Sequence, residues 1–177
     1  RWQQWSDRAI FDDSGNVKEY QSVGRDITAQ KEAEEALREN EERFRNLFLH
    51  IHAGVVIYEA VRNGEDFIIK EINPAVERIE KVKKDEVIGR SVLEAFPGVK
   101  EFGLFDVFQE VWRTGVPIDY PVSFYRDERI SGWRDNFVSR LPSGEIVAIY
   151  DDVTEKKQAE EALKASEEKY RSIFENA

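Results

Sequence analysis

Cysteine is absent from the 177 residues. That excludes disulfides, thiolate metal sites, thiol nucleophiles and thiol-linked cofactors, and it fits a reducing compartment, so a cytoplasmic location is expected. Methionine is absent too, and the chain opens on Arg1; it reads as a segment of a longer protein. The only two histidines are His50 and His52. With no partner residue in view, both are expected to be surface imidazoles rather than metal ligands. No run of about 18 apolar residues exists, so no membrane-spanning helix is expected within the segment, and no signal peptide opens it. Positive charge is scarce: 26 Lys and Arg stand against 36 Asp and Glu, a net charge of −10. No basic stripe interleaved with aromatics occurs, which argues against a nucleic-acid surface.

Catalytic signatures are missing as well. The chain holds no Gly-rich phosphate loop, no HExxH and no GxSxG. "DDSGN" (Asp12 to Asn16) has the flavour of a calcium loop, but Gly15 is misplaced and no Glu closes it, so a hairpin turn is the better reading. The acid pair Asp151-Asp152 falls at a strand end, where capping or an ion pair with an Arg accounts for it. No catalytic activity is expected of this chain.

What is present is texture that changes along the chain. Hydrophobic residues make up 41% and aromatics 12%, enough for a real core, while the 35% charged fraction concentrates in two segments. "RDITAQKEAEEALRENEERFRNLF" (Arg25 to Phe48) and "DDVTEKKQAEEALKASEEKYRSIF" (Asp151 to Phe174) align without a gap, Asp26 matching Asp152 and Thr28 matching Thr154. Ala, Glu, Lys, Arg, Gln and Leu dominate both copies, as in helices, and Thr28 is placed to be an N-cap. Gln30, Leu37 and Phe44 stand seven apart, with Ala33, Asn40 and Leu47 as a second row, which is coiled-coil spacing. The second copy repeats it with Lys156, Leu163 and Tyr170, and with Ala159, Ser166 and Ile173. Leu37, Phe44, Leu47 and Leu163 are therefore candidates for a dimer seam. The polar residues within it predict a weak parallel pair; a solvated helix carrying i,i+4 ion pairs is the alternative.

Between the copies the elements shorten. "AGVVIYEA" and "DFIIKEI" read as strands joined by an Asn63-Gly64 turn. Asn73 caps a helix whose first position is Pro74. Short helical turns follow, then the amphipathic "LFDVFQEVWRTG" with Gly115 at its end. "PIDYPVSFY", "GWRDNFVSRL" and "EIVAIYD" are the last three strand candidates. Two strands, several small helices and three strands predict an α+β domain with an antiparallel sheet and helices on one face.

These residues carry a resemblance. The "D-[IV]-T" strand end and the charged helix after it resemble the C-terminal edge of a PAS domain, at Asp26 to Arg45 and again at Asp152 to Arg171. "NPA" (Asn73 to Ala75) resembles the start of the central PAS helix. "EVIGRSVLEAFPG" and "WRDNFVSRLPSGEIVAIYDDVTEKKQAE" resemble later parts of the domain. The resemblance implies residues 1–27 as the closing hairpin of a preceding PAS domain, 28–49 as a helical linker, 50–153 as a complete PAS domain, and 154–177 as an exit helix leading into a following one. It implies a five-stranded antiparallel sheet with short helices on one face, flanked by long helices.

By function, the resemblance implies a sensory or dimerisation module in a multi-domain signalling protein such as a two-component sensor histidine kinase. Such a module senses a small ligand and relays through its flanking helices; a ligand-free scaffold for dimerisation or docking is the alternative. "LHIHAGVV" lacks the pattern of a phosphoacceptor helix. Partners would be a second copy, through the linker helices, and neighbouring PAS and output domains. A flavin photosensor of the thiol-adduct type is excluded by the missing cysteine, and haem is disfavoured because "LFDVFQEVWRTG" has no His; the cofactor is otherwise open.

Ligand-binding candidates are the aromatic Tyr58, Phe105, Phe108, Trp112, Phe124, Trp133 and Phe137, with plain core packing as the alternative. Period-two alternation is taken to put Trp133 and Phe137 inward and Arg134 and Arg140 outward. An anion cradled by Arg113, Arg126 or Arg129 has no motif behind it. Signal relay is assigned to Asp152 and Thr154, and to their counterparts Asp26 and Thr28.

Overall fold

A computed structural model describes residues 1–175, with side chains through Arg171. The side chain of the seam residue Ile173 and the last two positions of the exit segment lie outside what is described. The chain divides into two compact units, Arg1–Leu47 and the remainder from Phe48.

In the first unit β1 (Gln3–Phe11) and β2 (Val17–Asp26) form an antiparallel hairpin. The Asp12 carboxylate closes the turn, accepting the amides of Ser14 and Asn16 at 2.9 Å each. Accepting turn amides two and four residues on is what an Asp at this position supplies to a hairpin turn. The helix α1 (Thr28–His50) follows at once. Thr28 is not its cap, contrary to the sequence reading. The Asp26 carboxylate receives the Thr28 amide at 3.0 Å, and the Thr28 hydroxyl instead accepts the Trp2 amide at 2.8 Å. A carboxylate two residues upstream reaches the same orphan donors, and its charge suits the positive end of the helix. Ion pairs such as Lys31–Glu34 and Arg38–Glu35 line the helix. Exposed pairs of this kind are worth little.

The second unit begins with strands β3 (Gly54–Val61) and β4 (Asp66–Ile72). Between them Asn63 and Gly64 take φ of 60° and 81°. These are the left-handed values that Asn and Gly tolerate best. Four short helices come next: α2 (Pro74–Glu80), α3 (Lys84–Val87), α4 (Val92–Ala95) and α5 (Val99–Phe102). The longer α6 (Leu104–Thr114) buries Leu104, Phe105, Phe108 and Val111. Strands β5 (Ile118–Arg126), β6 (Ser131–Arg140) and β7 (Ile146–Asp152) complete the sheet, and α7 (Thr154–Glu175) leaves it. All pairings are antiparallel, in the order β4-β3-β7-β6-β5. The last strand is thus the central one, a position that requires the connection from β4 to cross over through the helices.

The core lies between the sheet and this helical layer. Phe67, Ile69, Val76, Val92, Phe108, Val111, Val138 and Ile146 are fully or almost fully buried. Asn73 fastens the crossover. Its side chain accepts the Val55 amide at 3.0 Å, donates to the Ala53 carbonyl at 2.9 Å and caps α2 at the Val76 amide. One buried amide thereby satisfies backbone groups of both a strand and a helix, groups that would otherwise be costly to bury. The opposite face of the sheet is also apolar: Phe48, Val55 and Val147 cluster there with Ile57, Leu141 and Ile149.

Candidate functional site

Under the sheet, where β6 and β7 meet α2, the core is interrupted by charge. Glu80 ends α2 and is 6% exposed; Arg134 on β6 is 3% exposed. Arg134 Nε stands 3.6 Å from Glu80 Oε1, an ion-pair contact beyond hydrogen-bond reach. Its Nη1 meets Asp152 Oδ2 at 3.1 Å. This second contact follows from strand register. Arg134 lies directly across from Asp152 in the β6–β7 ladder, and opposite residues of an antiparallel pair share a face.

Asp152 then passes the contact to the helix. Its Oδ1 accepts the Thr154 amide at 3.0 Å and the Thr154 hydroxyl at 2.5 Å. The same hydroxyl accepts the Trp133 amide at 2.9 Å. The joint is crowded enough to demand glycine at 132, where a Cβ would lie 2.5 Å from Thr154 Oγ1 and 2.6 Å from Arg134 Nη1. A continuous polar chain, Glu80–Arg134–Asp152–Thr154, thus joins the interior to the first turn of α7.

The first unit contains the same joint. Trp2 donates its amide to Thr28 as Trp133 does to Thr154. The Ile27 amide reaches the Trp2 carbonyl at 3.0 Å, as the Val153 amide reaches the Trp133 carbonyl at 3.0 Å. Asp26 takes a guanidinium as well, from Arg1 at 2.9 Å. There both partners are exposed, whereas Arg134 is buried.

A cavity of about 40 Å³ opens beside the buried pair, lined by Tyr58, Glu80, Arg134, Asn136 and Tyr150 on its polar side and by Phe96, Val99 and Leu104 among its apolar walls. Two donors in it, Arg134 Nε and Asn136 Nδ2, have no hydrogen-bond partner. Burial raises the Glu80 carboxyl above the usual glutamate range, with the Arg134 charge and the Tyr150 hydroxyl offsetting part of the shift. Burial likewise pushes the Tyr58 and Tyr150 phenols up, with the Glu80 charge adding to it. Both therefore stay protonated donors. Asp127, at the β5–β6 turn, is driven upward by burial, but the Ile130 and Arg129 amides outweigh that and hold it low. It accepts the Tyr125 phenol at 3.0 Å.

Of the residues singled out from sequence, Tyr58, Asp152 and Thr154 belong to this arrangement. Phe105 and Phe108 lie in the packed core, in edge contact with Phe67, and do not line the cavity. Trp112 packs under Gly64 at the β3–β4 turn. The phase expected for β6 is corrected: Arg134, Asn136 and Val138 point inward, and Trp133 and Phe137 lie on the other face of the sheet. Phe124 is on that outer face too, edge-on to Trp133 at 5.5 Å and half exposed. Because the central strands are apolar on both faces, hydrophobicity alone could not choose the phase. Glu80 and Asn136 were missed, and no local signal marked them; for the inward Arg134 the available signal was Asp152 at the end of the neighbouring strand. Arg140, expected to face outward, shares the phase of Arg134 and Val138; exposed at the strand end, it donates to the Trp112 carbonyl of α6 at 2.6 Å. Arg113 and Arg126 are exposed, and Arg129 pairs with Asp127 and the Ala95 carbonyl. His50 and His52 are exposed. Among the described residues no cluster of His, Asp or Glu could hold a metal ion, and no helix is long and apolar enough to cross a membrane.

Comparison with known proteins defines the fold. A scan against protein-family models found no match, and a search of curated proteins found no relative. Among solved structures, a domain of the sensory box sensor histidine kinase/response regulator from Geobacter sulfurreducens superposes with a TM-score of 0.53 at 20% identity, over 66% of this chain and 96% of that one. The PAS domain of a protein from Colwellia psychrerythraea gives 0.50 at 16% identity, over 64% of this chain and 97% of that one. An RNA-binding light-oxygen-voltage receptor gives 0.52 at 18% identity, covering 74% of this chain but 38% of its own. The fold is that of PAS domains, an α+β architecture with a five-stranded antiparallel sheet and several short helices.

Proposed function

We propose that residues 50–153 are a sensory PAS module of a multi-domain signalling protein such as a two-component histidine kinase, and that the polar chain from Glu80 to Thr154 is its output line. The observation that carries this reading is the continuity of that chain. A change at Glu80 alters what Arg134 can offer Asp152, and Asp152 holds the first turn of α7. A two-state joint responds only to a difference in interaction between its states, and a coupling of about 1–3 kcal/mol is the usual size. The module performs no catalysis. Residues 1–27, with their matching joint, are the closing hairpin of a preceding PAS domain, and the segments 28–49 and 154–177 are linkers to neighbouring PAS and output domains.

Hydrogen exchange on the 177-residue chain tests the line. Glu80→Gln is expected to change amide protection at the start of α7, and the change is expected to vanish when Asp152→Ala and Thr154→Ala are also present. If Glu80→Gln leaves those amides untouched while the sheet stays folded, the interior does not speak to the helix and the reading fails.

Self-association through the linkers is part of the same proposal. Leu37, Phe44, Leu47 and Leu163 are all 58–65% exposed, and helices in proteins gain most of their stability from packing such an apolar row against a partner. Leu37→Glu together with Leu163→Glu is expected to shift sedimentation toward monomer. An unchanged sedimentation profile favours the alternative, solvated helices with no seam. A scaffold that binds nothing is the second functional reading, and the small size of the cavity is what favours it.

A further inference from the structure

We propose that the cavity beside Glu80 is a binding site for a short-chain monocarboxylate, held by Arg134 Nε and Asn136 Nδ2 and taken up together with one proton that resides on Glu80. This rests on the sensory reading above and names its ligand. Three observations meet at one place. Two donors on side chains at most 4% exposed line the cavity without a hydrogen-bond partner. An unmet buried donor is costly, so a ligand that supplies acceptors relieves a penalty already present. Both atoms are N–H groups, so the complementary ligand group is an acceptor, and a guanidinium edge beside a second N–H matches the two oxygens of a carboxylate.

The remaining walls set the rest of the molecule. Phe96, Val99 and Leu104 offer apolar surface, which suits a short alkyl tail and excludes a second charge. Counting one water-sized sphere as roughly 10–15 Å³, the 40 Å³ space takes about three to four heavy atoms. Acetate falls within that range.

Glu80 determines the conditions. An anion cannot settle beside an ionised carboxylate in a dry site. The groups facing Glu80 are Arg134 from β6, Tyr150 from β7, Tyr58 from β3, Tyr125 from β5, and Asp127 and Arg129 from the β5–β6 turn. Only Arg134 and Arg129 are cationic, and each already faces an aspartate: Arg134 meets Asp152, and Arg129 meets Asp127. The incoming negative charge is therefore balanced by protonation of Glu80 from solvent, one proton for each carboxylate bound. Neutral Glu80 releases its hold on the guanidinium, and the ligand takes its place. The switch is then an exchange of one carboxylate for another on Arg134, felt at Asp152.

Acetate titrated into the 177-residue chain by calorimetry, between about pH 5 and 8, reads this directly. Affinity is expected to fall about tenfold per pH unit once Glu80 ionises in the empty site, with one proton absorbed per ligand. Glu80→Gln is expected to bind at every pH with no proton uptake. Asn136→Leu, an apolar replacement of similar bulk, is expected to weaken binding at least about tenfold, the loss of one charge-assisted contact. No heat with acetate at millimolar concentration, or an affinity indifferent to pH in the wild type, overturns the assignment. Binding of propanol or propylamine in its place overturns the carboxylate class yet leaves the sensory reading standing, provided the α7 amides respond. A cavity that takes up water alone, with α7 unresponsive to Glu80→Gln, removes both.

Discussion

Arg134→Met is expected to destabilise the second unit by about 3–5 kcal/mol, because it leaves Glu80 buried without its counter-charge. On a domain of this size that is a fall in melting temperature of about 10–20 °C. The loss is not the worth of the ion pair. Taking two charges out of water costs about as much as their attraction returns, and replacing both by apolar groups of similar volume is often neutral. Glu80→Leu combined with Arg134→Met is therefore expected to recover most of the lost stability. Denaturant unfolding of the two single variants and the double variant measures the coupling. Additive losses would mean that the 3.6 Å contact carries no interaction.

Glu80 gives the same pair a pH signature. Its folded-state pKa is raised, so the native state holds more protons than the unfolded chain above the ordinary glutamate range. The stability it contributes is full below that range and is lost as pH rises through the folded value. Glu80→Gln is expected to flatten that decline, whereas Asp127, held low, contributes stability that is lost at the acid end.

Phe108→Ala is expected to cost about 3–5 kcal/mol. Phe108 is fully buried, with ring centroids 4.9 Å from Tyr58 and 5.6 Å from Phe67. Truncation opens a cavity at the point where α6 meets the sheet, and a close-packed interior fills it only in part. The experiment also separates packing from ligand contact. Phe108 is not itself among the walls of the 40 Å³ cavity, so at a pH and temperature where Phe108→Ala remains folded, acetate affinity is expected to change far less than stability. A parallel loss of both would place the ring at the ligand.

The elements were legible in the sequence where local chemistry decides them. Asn63-Gly64, the Asn73-Pro74 cap, the stripe of α6 ending at Gly115, and the duplicated charged helices all declare themselves through turn, cap and periodicity. The sheet's two-sidedness did not. An alternating strand shows that one face differs from the other, and β6 does alternate, but Trp133 and Phe137 face outward while Arg134 and Asn136 go in. That arrangement is set by register against Asp152 and by the helix that brings Glu80 beneath it. Both are long-range facts that no window of sequence contains. The role of Asp152 was legible because its chemistry is local, two residues from the helix it caps. The identity of the Arg it holds was not.

The duplicated joint has a consequence for how such a chain can grow. Each copy closes on itself: a tryptophan backbone, a threonine hydroxyl and an aspartate settle how a strand becomes a helix, with no help from the interior. Only the guanidinium differs, drawn from the surface in one copy and from beneath the sheet in the other. A further bead can be added at either boundary without redesigning the seam. In the proposed relay, the difference between the two copies comes down to one arginine, which reaches inward to Glu80 in one and out to the solvent in the other.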